Sequence, residues 1–487
     1  MRRDFSEGRT LSLTGSDTVI MSPNLFSHAN LDKLKQKAQK TLHRSLDQHV
    51  KLAVTGLSGS GKTAFITALV KHLTTQTNKQ NLPFFDVVKD DRLIAAKQVP
   101  QSALDIPTFD YPSAINCLLN SEPSWPESTK RINTLTIAIR YETKHGLKQH
   151  VSPQSTLYLE LIDYPGEWLI DLPMLEQDYA SWSESMLSLL EKPEYSEYAR
   201  PFLTELEQFN SEENIDEQAL KQLSNLYTQA LKQLKSQTQL AYLQPGRQLI
   251  PGDLEDAPIL LFFPCREKND KENSQYSHLA SRFEAYKKQV ITPFYKNYFC
   301  EFDRQLVLVD VMSALNDGPQ SLLEQKHTLQ AVLQSFNYGR SNLIKRLFSP
   351  KIDKVLFAAN KCDHVNGTQQ VAIAQLLHDL VGEQANDMRF NGVQIETMAM
   401  SSVQSTLAKR IKEGDKALDC IYGKPLNEDE WLTYLPPEPP NHFLSQSQWP
   451  THGFEFISFA PLPSTKSELT HTRLDHALQF LIGDKLQ

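Results

Sequence analysis

No run of apolar residues in this sequence approaches the ~18 positions that a membrane-spanning helix requires. A direct membrane span is therefore not expected, and any membrane role would need a partner or a peripheral surface. Cysteine is scarce. Five occur in 487 residues, dispersed at Cys117, Cys265, Cys300, Cys362 and Cys420, with no CxxC pair. An odd, scattered set excludes a disulfide framework or a zinc ribbon and reads as reduced thiols in a cytoplasmic protein. Basic charge is not in excess either. Lys and Arg number 50 against 58 Asp and Glu, for a net charge of −8. That removes the electrostatic case for nucleic acid as a partner. The start, Met1-Arg2-Arg3-Asp4, leads into polar sequence rather than an apolar signal core.

What is present is an ordinary globular composition, 40% hydrophobic and 22% charged, on a chain long enough for two or three compact units. Apolar residues at Leu31, Leu34, Ala38, Leu42 and Leu46 predict a helix over 29–48. Val50 to Thr55 is a short buried-strand run, and Lys62 to about Thr75 has helical spacing. Residues 76–130 read as irregular. Leu135, Ile137 and Ile139 alternate as a strand does, and Leu157 to Ile162 is another strand, ending at Asp163. From Asp171 to Glu217 the texture changes, with thirteen acidic residues against Lys192 and Arg200. Leu220, Leu223, Tyr227, Ala230 and Leu234 then trace an amphipathic helix. Strand runs return at Leu306–Val311, Val355–Ala359 and Val393–Ala399, and a last helix covers Arg473–Ile482.

This order predicts an α/β fold: a doubly wound, mostly parallel sheet carrying a large inserted helical domain. The expected divisions are an N-terminal extension over 1–48, a first part of a nucleotide-binding domain over 49–170, a helical insertion over 171–302, and the second part over 303–487. Lys62 and Asp163 are 101 positions apart, and Asp163 and Asn360 are 197 apart. Connections in α/β units are normally short, so the excess after Asp163 calls for a dedicated helical block.

Three motifs carry chemistry. Gly56-Leu57-Ser58-Gly59-Ser60-Gly61-Lys62-Thr63 is G-x4-G-K-T between a strand and a helix that continues through Ala64. Its glycines let consecutive N–H groups face a phosphate at a helix N-terminus. Lys62 can reach the β- and γ-phosphates, and the Thr63 hydroxyl can ligate Mg²⁺. Asp163-Tyr164-Pro165-Gly166 closes a strand, where a carboxylate can hold Mg²⁺ and the Gly166 N–H can meet a γ-phosphate oxygen. Asn360-Lys361-Cys362-Asp363 also closes a strand. The Asp363 carboxylate can accept both N1–H and the exocyclic amine of guanine, whereas adenine offers it a lone pair. Asn360 would brace this loop, and the Lys361 stem would lie along the base plane. A softer fourth element, Ser401-Ser402-Val403, follows the next strand and would close over the base.

Taken in order, these elements resemble a Ras-like P-loop GTPase. Four further stretches make the chain similar to the YcjX-type, stress-associated GTPase family: Trp125-Pro126-Glu127-Ser128-Thr129, Asp163-Tyr164-Pro165-Gly166-Glu167-Trp168, Phe302 to Asp310, and Arg473 to Leu478. The resemblance implies GTP/GDP and Mg²⁺ as ligands, a role in bacterial stress, and a protein effector or activator, with a membrane protein among the candidates. It implies a cytoplasmic site, peripheral to the inner membrane if that partner is membrane-bound. It also implies a switch I threonine that joins the Mg²⁺ shell; Thr129, ahead of the Leu135–Ile139 strand, fits, with Ser128 as the alternative. Glu167 stands where Ras-like proteins carry a water-orienting glutamine, so slow hydrolysis is expected, with Lys62, Thr129, Gly166 and Glu167 around the chemistry. Two other functions remain open at this point: a GTP-binding scaffold with negligible turnover, and a P-loop ATPase, against which Asn360 and Asp363 argue.

Overall fold

Strand β1, Gln48–Gly56, alternates its burial so that Val50, Leu52 and Val54 enter one apolar core and Ala53 the opposite one. That period-2 division repeats along β5, Arg304–Val309, where Leu306 and Leu308 oppose Val307 and Val309. It repeats again on β6, Lys354–Ala359, where Leu356 and Ala358 oppose Val355, Phe357 and Ala359. Strands buried on both faces need helices on both faces. A computed structural model describes residues 47–56, 59–75, 80–101, 103–144, 153–238, 240, 243–266, 273–335, 352–382, 384–390, 392–464 and 468–487. All its described elements belong to one unit, Gln48–Gln487.

The other strands of the main sheet are β2 (Leu93–Val99), β3 (Asn133–Glu142), β4 (Gln154–Asp163) and β7 (Gln394–Ala399). Their order is β2-β3-β4-β1-β5-β6-β7. β1 pairs in parallel with β4 and β5, and the parallel run continues through β6 to β7. β3 is antiparallel to both of its neighbours. One face is covered by α1 (Lys62–Thr74), α2 (Tyr111–Leu119) and the closing helix Leu474–Ile482. The other face carries α3 (Tyr179–Leu190), α4 (Ser196–Gln208), α5 (Glu217–Thr238), α6 (Gln275–Tyr286), α7 (Pro319–Ser335) and α8 (Gln369–Val381). Helices α3 to α6 do not bury a core apart from the sheet. Leu220, Tyr227 and Leu234 of α5 belong to the same buried cluster as Ala53, Ile162 and Val307.

The expected helix over 29–48 lies outside the described residues except at its end, where Gln48 already opens β1. The stretch 76–130 is less irregular than it reads. It holds α2, capped by Asp110 on the Ser113 N–H at 3.2 Å, and the edge strand β2. β2 pairs on only one side and is largely exposed, so its sequence lacks a core-facing alternation. A second sheet, β8 (Thr406–Glu413), β9 (Lys416–Gly423) and β10 (Leu432–Tyr434), was not expected. Its hairpin turns at Gly414-Asp415, with Gly414 at φ 60°. This is a two-residue turn whose signal was legible, but the flanking Lys409, Arg410 and Lys412 obscure the strand.

Candidate functional site

The first turn of α1 has no side-chain cap and no acidic residue. Its N–H groups and dipole are thereby left facing outward, toward an anion. Gly61, the residue before it, has φ 91°, and a Cβ there would meet the Asn360 Nδ2 at 2.3 Å. Glycine is required on both counts. The Asn360 amide in turn donates to the Ser60 carbonyl at 2.9 Å, stitching the loop after β1 to the loop after β6. Lys62 is buried and donates from Nζ to the Gly56 carbonyl at 2.6 Å. Burial lowers its pKa, against the upward pull of Glu167 and Asp163. Ser58 lies outside the described residues.

Three expected metal ligands converge. The Thr129 hydroxyl donates to Asp163 Oδ2 at 2.5 Å, and Thr129 Oγ1 lies 3.5 Å from Thr63 Oγ1. Thr63 also donates to the Glu127 carbonyl at 3.0 Å. Asp163 is buried, and burial pushes its carboxyl up to about 6, with Lys62 and Thr129 opposing. Its Oδ1 is buried with no hydrogen-bond partner. A carboxylate with one oxygen on the Thr129 hydroxyl and the other without a partner, and with the Thr63 hydroxyl next to that of Thr129, is a hard-oxygen donor set that fits Mg²⁺.

At the far end, Asp363 is ordered by the chain itself. Oδ1 accepts from the Ser401 hydroxyl at 2.5 Å. Oδ2 accepts from the Ser405 N–H at 2.6 Å, the Ser405 hydroxyl at 2.7 Å and the Thr406 N–H at 3.1 Å. Ser402 donates its N–H and hydroxyl to Asn360 Oδ1, both at 3.1 Å. Lys361 sits at φ 64° and pairs with Asp310 at 2.5 Å. His364 is buried against Ser405 Oγ at 3.0 Å, and burial lowers its pKa, keeping the imidazole neutral. A cavity of about 210 Å³ joins the two ends. Gly59, Gly61, Lys62, Thr63, Ala64 and Thr129 line one side, and Asn360, Lys361, Asp363, Ser401, Ser402 and Val403 the other. Trp125 and Phe459 also line it, joined by a 2.8 Å bond from the Trp125 indole N–H to the Phe459 carbonyl.

The segment after Asp163 leads into the helical block. It is a buried 3₁₀ run, Gly166–Glu176, clamped by the helical block. Asp171 accepts from the Gly246 N–H at 2.7 Å, the Arg247 N–H at 3.3 Å and the Tyr286 hydroxyl at 2.6 Å. The Arg247 guanidinium lies 3.2 Å from the centre of the Trp168 ring. A Cβ on Gly246 would reach the Glu167 carbonyl at 1.9 Å, so only glycine permits this approach. Glu167 is buried and ion-paired with Lys235 of α5. Burial raises its pKa, but Lys235 and Lys62 outweigh that and hold the carboxylate ionised. Sequence reading missed Ser405, Thr406, Asp310 and Lys235. Ser405 and Thr406 directly follow the Ser401–Val403 loop and were within reach; Lys235 has no local signal at all.

A profile of the YcjX-like family (DUF463) matches residues 50–486. The chain belongs to that family. A relative from Shewanella oneidensis, named Ras-like GTPase YcjX, is 40% identical over 480 residues, 94% of this chain and 99% of the relative. A relative of the same name from Escherichia coli K12 is 38% identical over 467 residues, 94% of this chain and all of that protein. The described residues contain no helix long and apolar enough to cross a membrane.

Proposed function

We propose that this chain binds GTP with Mg²⁺ and hydrolyses it slowly to GDP and phosphate, as a nucleotide-dependent switch. The observation that carries the reading is the grouping of Thr63, Thr129 and the unpartnered Asp163 Oδ1 at the uncapped start of α1, with Asp363 across the same cavity. The name of the two relatives, Ras-like GTPase, supports it. Thr63 and Thr129 would hold the metal, with Asp163 accepting from its water shell. Mg²⁺ would supply charge neutralisation along the phosphates. Lys62 would leave the Gly56 carbonyl for the β- and γ-phosphates, and the Gly166 N–H would meet a γ-phosphate oxygen. Asn360 braces the two loops, Asp363 accepts from the guanine edge, and Ser401, Ser402 and Val403 close over the base.

Slow turnover follows from Glu167. A carboxylate ion-paired with Lys235 is a poor substitute for a glutamine, which both accepts from water and donates to phosphate. The same pairing keeps a second reading in play, a GTP-binding scaffold with negligible turnover. A bacterial stress role rests on family likeness alone, as does a protein effector. Titration of GTP and ATP with Mg²⁺, followed by single-turnover hydrolysis, tests the reading. Equal affinity for ATP sinks the guanine assignment, and absent turnover leaves the scaffold. Hydrogen exchange over 80–130 and 163–180 that is the same with GDP and a GTP analogue removes the switch.

A further inference from the structure

Besides Lys62, a cation that acts electrostatically on the phosphate end comes from the helical block. Lys235 stands on the last turns of α5, 68 positions beyond Glu167, and its ammonium is paired with the Glu167 carboxylate. Lys62 feels Glu167, Asp163 and Lys235 together. Two cations and two carboxylates thus share one buried neighbourhood. Lys235 is about a quarter exposed, whereas Glu167 is fully buried. The lysine is therefore the partner with freedom to move. It also has somewhere to go. A cavity of about 570 Å³ is lined by Lys235, by Gly59 and Ser60 of the phosphate-binding loop, and by Gly166. The lysine head and the γ-phosphate position therefore open onto the same space.

We propose that Lys235 is a γ-phosphate ligand supplied in cis by the helical block, held in reserve by Glu167 when no triphosphate is bound. The inference rests on the GTP reading of the site. A γ-phosphate competes with Glu167 for the ammonium, and charge-assisted pairing to phosphate favours the transfer. During hydrolysis the water oxygen bonds to the γ-phosphorus as the bond from that phosphorus to the bridging oxygen breaks. The electron pair goes to the β-phosphate of GDP, and the water's proton ends on the inorganic phosphate. Lys235 takes no proton from the reaction and stabilises the charge that spreads over the departing oxygens. Release of phosphate returns it to Glu167. The helical block thereby senses the γ-phosphate through α5 as well as through the clamped 166–176 segment.

The test is a cycle on the full chain: wild type, Lys235→Ala, Lys235→Arg, Glu167→Gln and the double variant Lys235→Ala/Glu167→Gln. The double variant guards against misfolding, because Lys235→Ala alone strands a buried carboxylate. For each, affinities for Mg²⁺–GDP and a non-hydrolysable GTP analogue are titrated, and single-turnover GTP hydrolysis is timed. Relative to Glu167→Gln, the double variant Lys235→Ala/Glu167→Gln should lose roughly tenfold in analogue-to-GDP affinity ratio and roughly 10²-fold in hydrolysis, with GDP affinity unchanged. Lys235→Arg should hold most of the ratio, and Glu167→Gln, which frees Lys235, should raise it. An unchanged ratio, or an equal loss of GDP and analogue binding, overturns the assignment. Wild type that binds no guanine nucleotide overturns the GTP reading itself, a result the variants cannot mimic.

Discussion

The two ends of the cavity, proposed above to hold the base and the phosphates of GTP, are built on different physics. The base end is a closed hydrogen-bond network. Asp363 carries four donors from Ser401, Ser405 and Thr406, and Asn360 links the Ser60 carbonyl to Ser402. Most of these partners are neutral, and their geometry is set before any ligand arrives. The phosphate end is a cluster of opposed charges, Lys62, Lys235, Asp163 and Glu167, with one carboxylate oxygen left without a donor. On the GTP reading, guanine would have to take the place of some of these donors on Asp363, which a base without two N–H donors there could not do. A charge cluster responds, since an incoming phosphate and metal must re-partner it. On the GTP reading, one site would hold a reader at one end and a sensor at the other.

The strongest way to break this contrast is Lys62→Ala. Removing the buried cation takes away a charge that acts on Asp163 and Glu167 and would deprive the phosphates of a charge-assisted partner. Nucleotide affinity should fall by 10²-fold or more, on the order of 3 kcal/mol, in a GTP titration. Normal GTP binding by this variant would place the phosphates elsewhere. Next in size is Asp363→Asn at the base end. It should weaken GTP by roughly 2–3 kcal/mol and shift preference toward xanthine nucleotides, whose position 2 carries an oxygen. Competition between the two nucleotides checks this, and unchanged GTP affinity rejects it.

A smaller effect concerns Asp171, whose carboxyl burial pushes up to about 6 against the pull of Tyr286 and two N–H groups. A carboxyl raised in the fold keeps its proton more tightly there than in the unfolded chain, where it titrates near about 4. Its stabilising contribution is full below that value and is lost as pH rises through about 6. Wild-type stability minus that of Asp171→Asn should therefore shrink between pH 5 and pH 7 in paired melts. A gap that widens over that range would show that the donors outweigh burial. The smallest effect is Ser405→Ala, which removes one of four donors to Asp363. A loss of about 1 kcal/mol in GTP affinity is expected, with binding of a fluorescent GDP as the readout. No loss would mean that the Ser401 hydroxyl and the two backbone N–H groups are enough to orient the carboxylate.

The legibility of the molecule divides along the same line. The strands that flank the motifs were readable because β1, β5 and β6 are continuous apolar runs buried on both faces. Gly61, Lys62, Thr63, Asn360 and Asp363 were readable because each sits within a few residues of its strand end. Thr129 was reached through family likeness and through its place before β3, and the structure brings it to Asp163. β2 and the β8–β10 meander escaped because exposed strands are paid for by their neighbours and carry weak patterns of their own. The buried state of Gly166–Glu176 escaped because no local property of that segment announces its cover.

By itself the sequence determined the mostly parallel sheet and the strand ends at which the glycine-rich loop, Asp163 and residues 360–363 sit, since each depends on short-range spacing and on how strands end. Only the tertiary structure decided that Glu167 is paired with Lys235 of α5 and that Asp163 Oδ1 is left without a donor. Those facts depend on where a helix more than sixty residues away comes to rest against the sheet. Electrostatic energy follows distance in space, and distance along the chain does not encode it.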